Sequence, residues 1–449
     1  MSNILTFSIF GKENSGKCSL NKAINLYLKD LSHPNDFIYD NTNYHIFPIP
    51  CFGENYKDNF DISIKNTDFI LITIDSNSII NINNDINYYF HLISLSIING
   101  IKNIIFVLTK SIDEEGNLII DNKSIEKIKI FIEDLYQKIK IKFGIINNSI
   151  KFDYCIVDSL EGSGIEDLLN KFPKNIDDKN NIINNNNEII LLGLYDKYFD
   201  KEREEFVITC QILSHGNNEL NINIKETKLN IYYIDEKNNS KNIIKNLIPF
   251  KLGLANGNYI EKLVDIKNQF ISLKFKLNSL DDNFINNPLK NCFLSFNEND
   301  ENICFFDTCE TDILITSFLS DEELKEKTFA ILTKGCKCLF NNYNSDVECT
   351  IINIIGEYEN DSNNNVNFNK KKIINCKNGI SAKIVIALSR PILSTKYDFC
   401  SKFGSFKLLK QGECFALGKI NNNFKIFLIT ETTFRYIIEK AQVIKFKIT

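Results

Sequence analysis

The chain has no tryptophan, one methionine, four histidines and seven prolines among 449 residues. Arginine is almost missing: Arg203, Arg390 and Arg435 are the only ones. None precedes Arg203, so a phosphate site built in the N-terminal region takes no arginine from its own surroundings. No apolar run reaches the roughly 20 residues of a membrane-spanning helix, which excludes a helical membrane protein. A surplus of basic charge is also missing. The formal net charge is −5, so nothing draws the whole chain to DNA or RNA, and any RNA contact has to come from local lysine patches. The 13 cysteines lack paired spacing. Cys336 and Cys338 form a C-x-C, which is not a zinc spacing, and few histidines exist to complete a site. With no signal peptide at the start, these thiols read as reduced and buried.

What the chain does have is ordinary globular material, 43% hydrophobic and 24% charged. Its length is too great for one core, and about two to four domains are expected. Asparagine and isoleucine are over-used throughout, in expected helices and strands alike, which reads as a composition bias of the genome.

The most informative segment is Gly11-Lys12-Glu13-Asn14-Ser15-Gly16-Lys17. This is a G-x-x-x-x-G-K frame. Its two glycines let the backbone curl so that N–H groups point at phosphate oxygens, and its lysine adds a point charge. The context fits. Ile4 to Phe10 is apolar and β-prone, as a buried parallel strand is. From Ser19 to Leu31 the apolar residues Leu20, Ala23, Ile24, Leu26, Tyr27, Leu28 and Leu31 recur at helical spacing. The next position of the frame calls for a hydroxyl to ligate Mg²⁺, but here it is Cys18, and Ser19 comes one residue late. Magnesium is a hard cation that wants oxygen, so a thiol is a poor ligand. The plainer alternative is a loop that keeps its shape and holds phosphate weakly.

Residues 1–173 alternate strands at 4–10, 44–49, 69–75, 104–109 and 153–157 with helices at 17–31, 86–99, 124–142 and 164–171. Such alternation predicts a mostly parallel sheet covered on both faces. Residues 174–187 are a polar linker. Beyond it the period changes to 2, with strands at 206–212, 229–234 and 271–277. A second β region follows, marked by Phe305, 313–315, 329–332, 349–352, 382–388 and 424–428. Many short strands without helices predict barrels. The expected architecture is an α/β domain over 1–173, then β-barrel domains over 188–300 and 301–449.

This layout, with its motifs in order, resembles the translational GTPases of the elongation factor 1-alpha class. The loop through Cys18 and Ser19 aligns with the family's G-H-V-D-[SA]-G-K-S-T. Pro50-Cys51-Phe52-Gly53-Glu54 stands where the family has D-A-P-G-H, and Asp68 to Asp75 matches the strand that follows it. Gly100 to Asp113 resembles the guanine signature, with Thr109 for its asparagine, Lys110 kept, Ile112 in the carboxylate slot and Asp113 one residue beyond. Ser159-Leu160 is similar to the last signature. In the β regions, Leu191 to Tyr198, Ser389-Arg390-Pro391-Ile392, Lys396-Tyr397, Phe403 to Leu408 and Gln411 to Ile420 follow the family's wording. They are most similar to the GTP-binding subunits of eukaryotic peptide chain release factors, with the ribosome-rescue GTPases that partner Pelota-type proteins as near neighbours.

The resemblance implies a cytoplasmic factor that binds GTP or GDP and works on the ribosome in translation termination. Its third domain would dock a class-one release factor, with no membrane and no DNA involved. It implies nucleotide contacts at Gly11, Asn14, Ser15, Gly16, Lys17, Cys18, Ser19, Thr109, Lys110, Asp113, Ser159 and Leu160, with Cys18 in the Mg²⁺ slot. Glu54 occupies the slot of the histidine that positions the attacking water, where a carboxylate would repel a triphosphate. No threonine lies between Cys18 and Phe37 to serve as the switch residue. GTP hydrolysis therefore stays open beside a pseudo-GTPase adaptor, which binds a partner without turnover. Other residues read blandly: His45 as packed or surface, His91 as core, His33 as loop, Asp321-Glu322-Glu323 as a helix start or turn, and Lys370 to Lys372 as a solvated basic loop.

Overall fold

The structure is a computed structural model. It describes residues 4–28, 36–46, 63–77, 85–111, 121–143, 150–174, 191–214, 222–295 and 303–425, with short breaks inside several of these spans. The chain divides into two compact units, 2–180 and 181–449. The expected linker at 174–187 falls almost wholly outside the described residues.

In the first unit, β1 (Ile4–Gly11) is mostly apolar and buried from Leu5 onward, between two neighbours. It pairs in parallel with β3 (Thr42–Ile46) and with β4 (Phe69–Asp75). The parallel ladder continues to β5 (Asn103–Thr109) and β6 (Lys151–Ile156), while β2 (Asp36–Tyr39) adds antiparallel to β3. The order is β2-β3-β1-β4-β5-β6. The helices are α1 (Lys17–Leu28), α2 (Ile86–Ile98), α3 (Asn122–Phe143) and α4 (Ile165–Asn170). Beneath one face, Phe7 stacks on Phe69 at 5.0 Å, and Phe172 meets Phe7, Tyr44 and Phe69 edge-on. α2 is buried at every position from Tyr89 to Ile98, His91 included.

The expected elements here recur with small shifts. β2 is new: its four residues bury only Phe37 fully, and so short a strand leaves no readable alternation. Of the expected strand at 44–49, residues 47–49 lie outside the described residues.

In the second unit, β7 (Leu191–Asp200) and β8 (Glu205–Ser214) form a hairpin. β9 (Ile222–Asn223) pairs with β14 (Lys262–Leu263) in a separate ribbon. β10 (Leu229–Asp235), β11 (Ser240–Leu247), β12 (Lys251–Leu254), β13 (Tyr259–Ile260), β15 (Phe270–Lys276) and β16 (Cys292–Ser295) join the hairpin. The resulting eight-stranded antiparallel sheet runs β11-β10-β16-β7-β8-β15-β12-β13. It folds around Ile208, Ile231, Tyr233, Leu273, Phe275 and Phe284.

The remaining strands are β17 (Ile303–Ile315), β18 (Ile331–Thr333), β19 (Lys337–Asn342), β20 (Ser345–Asn360), β21 (Val366–Asn369), β22 (Ile373–Asn375), β23 (Ser381–Thr395), β24 (Ser405–Lys410) and β25 (Glu413–Lys425). Their sheet runs β19-β24-β25-β17-β23-β20-β21, and a further β19–β20 pairing closes it into a barrel. β18 and β22 form a separate ribbon.

The strands expected here as short are long: β17, β20, β23 and β25 span 13, 16, 15 and 13 residues. Bulges hide that length from a period-2 reading. In β23, Phe306 pairs with Ile392 but Thr308 pairs with Ala387, so Pro391 sits where the ladder is already broken and no N–H is needed. Part of the basic loop is strand as well. Val366–Asn369 belongs to β21, and Lys371 is clamped by Glu357 and Glu359. Between the two sheets of this unit, Tyr232, Ile234 and Phe293 pack with Leu393 and Phe403. The Phe293 and Phe403 rings meet edge-on at 4.5 Å.

Candidate functional site

Four parallel strands end side by side at their C-terminal edge, at Gly11, Asp75, Thr109 and Ile156. This is where open α/β sheets hold ligands. The loop 11–17 leaves the end of β1 and enters α1 directly. Gly11 has φ of +153° and Gly16 of +84°, and Asn14 takes +59°. A Cβ on Gly11 would fall 2.2 Å from Thr73 Oγ1 and 2.5 Å from Ser15 Oγ. Only glycine lets the turn lie so close against β4. Leu20 N donates to Gly16 O at 2.9 Å and starts α1. The amides before it have no partner earlier in the helix, as at any helix start.

Lys17 is 7% exposed. Its Nζ donates to Gly11 O at 2.9 Å and to Lys12 O at 2.7 Å, so the ammonium sits inside the curl. Ser15 Oγ donates to Lys12 O at 2.7 Å and lies 2.7 Å from Thr73 Oγ1. The Asn14, Cys18 and Ser19 side chains are exposed at the mouth. The loop is a cradle of backbone amides with one buried cation, Lys17, which suits a phosphate.

Thr109 closes the back of this cradle. It is 1% exposed, and its Oγ1 lies 2.8 Å from Ser15 O, to which it donates. Ser76 Oγ donates to Thr109 O. Lys110 has φ of +53°, and its Nζ pairs with Asp75 Oδ2 at 2.6 Å. After β6, the Asp158 carboxylate accepts the Leu160 and Glu161 amides at 2.8 and 2.9 Å. That turn leaves Leu160 93% exposed and Ser159 Oγ buried without a hydrogen-bond partner among the described residues.

The structure thus joins Gly11, Ser15, Gly16, Lys17 and Thr109 in one bonded unit, with Lys110 next to it in the chain. Ser159 and Leu160 stand after β6 on the same sheet edge. Glu54 and Asp113 lie outside the described residues, as do Ile112 and His33. His45 Nδ1 is 2.6 Å from Asp36 Oδ1, away from the loop. Thr73, Asp75 and Ser76 are site-bracing residues that sequence reasoning missed. Their one signal was polar side chains at the end of a buried strand.

At the position after Lys17, where an oxygen ligand would suit a magnesium ion, the chain presents the Cys18 thiol, a poor ligand for that hard cation. Among the described residues no group of three or more His, Cys, Asp or Glu could hold a metal. No described helix is long and apolar enough to cross a membrane.

Residues 327–421 match the family model of the GTP-eEF1A C-terminal domain-like family. Among solved structures, translation elongation factor SelB from Methanococcus maripaludis, in complex with the GTP analogue GppNHp, aligns over 95% of this chain and 81% of its own. The TM-score is 0.57 and the identity 14%. A bacterial selenocysteine-specific elongation factor, EF-Sec, aligns over 98% of this chain and 62% of its own, with TM-score 0.54 and 16% identity. The fold of this chain is similar to that of these elongation factors. Sup35 complexed with GMPPNP covers 94% of each chain at 13% identity, but its TM-score of 0.39 is too low to carry an argument. No curated protein sequence matches.

Proposed function

We propose that this translational-GTPase fold binds guanine nucleotide at 11–19 and acts as a translation factor in the cytoplasm, on the ribosome. The observation that carries the reading is the bonded cradle, in which Lys17 is buried against Gly11 and Lys12 between two left-handed glycines. The match over 327–421 supports the translational setting. On the wording of 389–420, the partner is a class-one release factor docked on the closed C-terminal barrel. Titration of the full chain with GDP, GTP and ATP tests the nucleotide half. Saturable guanine-nucleotide binding is expected, and no binding by any of the three sinks it. Co-purification from native cells tests the partner half, which fails if the stop-codon factor is absent from the bound fraction.

Two observations favour a second reading for turnover. Cys18 offers no oxygen to a metal, and the Thr109 hydroxyl is spent on Ser15 O. A chain that binds nucleotide without hydrolysing it, an adaptor, fits those two facts. Multiple-turnover GTP hydrolysis stimulated by ribosomes would refute the adaptor. A rescue GTPase with a Pelota-type partner gives the same nucleotide result and differs only in what co-purifies.

A further inference from the structure

The closed barrel has four cysteines in its core, Cys309, Cys338, Cys349 and Cys376, with Cys304 and Cys336 packed against it. Two of them face each other across strands. Cys338 of β19 and Cys349 of β20 are directly opposed in the ladder. Their Sγ atoms lie 3.3 Å apart. Cys349 is 1% exposed and Cys338 is 9%. The place matters as much as the distance. The β19–β20 pairing joins the two ends of the run β19-β24-β25-β17-β23-β20. The sulfurs therefore sit across the seam that closes the barrel.

We propose that Cys338 and Cys349 are a reversible oxidation site whose disulfide welds this seam. A peroxide is the oxidant. The Cys338 sulfur, the less buried of the two, attacks a peroxide oxygen and gives up its proton. A sulfenic acid forms, and the other oxygen leaves as water once protonated. The Cys349 sulfur then attacks the sulfenic sulfur, its proton leaves with the hydroxyl, and a second water departs. Two thiols and hydrogen peroxide become one disulfide and two waters, and the two sulfurs together lose two electrons.

Geometry favours the second step. The sulfurs need to close by about 1.3 Å to reach a bond of about 2.05 Å. Directly opposed residues hold their Cβ atoms about 4.5–5.5 Å apart, from the upper limit of the roughly 3.5–4.5 Å that a disulfide spans and beyond it, so the bond draws β19 and β20 together. Contact with Cys338 and then burial hold the Cys349 thiol above its ordinary range. It stays protonated and silent until a sulfenic acid forms beside it.

The test oxidises the full chain with hydrogen peroxide, alkylates it under denaturing conditions and maps peptides without reduction. A cross-linked pair containing Cys338 and Cys349 is expected, lighter by two hydrogens and reversed by dithiothreitol, together with a raised melting temperature. Cys349→Ala should abolish the cross-link and leave no oxidant-dependent rise in melting temperature. The proposal is overturned if both thiols still alkylate fully once the exposed Cys18 is oxidised. It is overturned equally if the bond formed joins Cys349 to Cys309 or Cys376 instead. The wild-type map decides the matter even if the variant fails to fold.

Discussion

A buried ammonium needs partners, and Lys17 finds them in the backbone of its own loop, at Gly11 O and Lys12 O. The arrangement makes the side chain a brace of the loop and, on the proposed reading, a phosphate ligand. Charge-assisted hydrogen bonds contribute about 1.5–3 kcal/mol, so Lys17→Ala should weaken nucleotide binding about 10- to 100-fold by calorimetric titration. Unchanged affinity would place the nucleotide elsewhere. Thr109→Val keeps the shape but removes the donor to Ser15 O, which is buried. Leaving that carbonyl unmet costs about 1–3 kcal/mol, read as a lower urea midpoint for the N-terminal unit. Cys18→Ser restores an oxygen at the mouth of the loop. Nucleotide affinity should then rise with added magnesium, and the wild-type chain should show a smaller response or none. Of this site, the glycine frame and Lys17 were legible in the sequence because their spacing is local. Thr73, Asp75 and Ser76 were not, because they reach the loop only through the pairing of β1 with β4.

At the scale of elements, a strand is readable when burial dictates its pattern. β4 and β5, apolar along most of their length and buried on both faces, were found almost to the residue. β2 and β11 were missed, since one is short and the other is half exposed along its length. β23 was read as ending before Ser389, yet it runs through Pro391 to Thr395. Pro391 costs the ladder nothing there, because the register already slips between Phe306 and Thr308. Pro391→Ala should therefore shift stability by no more than about 0.5 kcal/mol. Ile386→Ala, in the same strand but 0% exposed in the barrel core, should cost about 2–5 kcal/mol. Chemical denaturation of the two variants checks the contrast, and similar losses would mean that the bulge does not relieve the proline.

The whole molecule has two compact units, with the candidate site wholly inside 2–180 and the family match wholly inside 181–449. Each has its own apolar core, so each should melt as its own transition. A nucleotide that binds the cradle stabilises only the unit containing it, by about 2.7 kcal/mol at one hundred times its Kd. Calorimetry of the full chain with saturating GDP should therefore raise one transition and leave the other in place. A common shift of both would mean that the units unfold together.

The sequence by itself determined the order of domains, the amide-lined turn and the thiol where a metal would want oxygen. Each of these follows from the chemistry of neighbours a few residues apart. Only the tertiary structure decided that Thr109 is bonded to Ser15, that Lys110 is held by Asp75, and that Cys338 meets Cys349 at the barrel seam. These contacts depend on strand register and sheet closure. A chain encodes both through the burial of many distant residues at once, so no short stretch of it displays them.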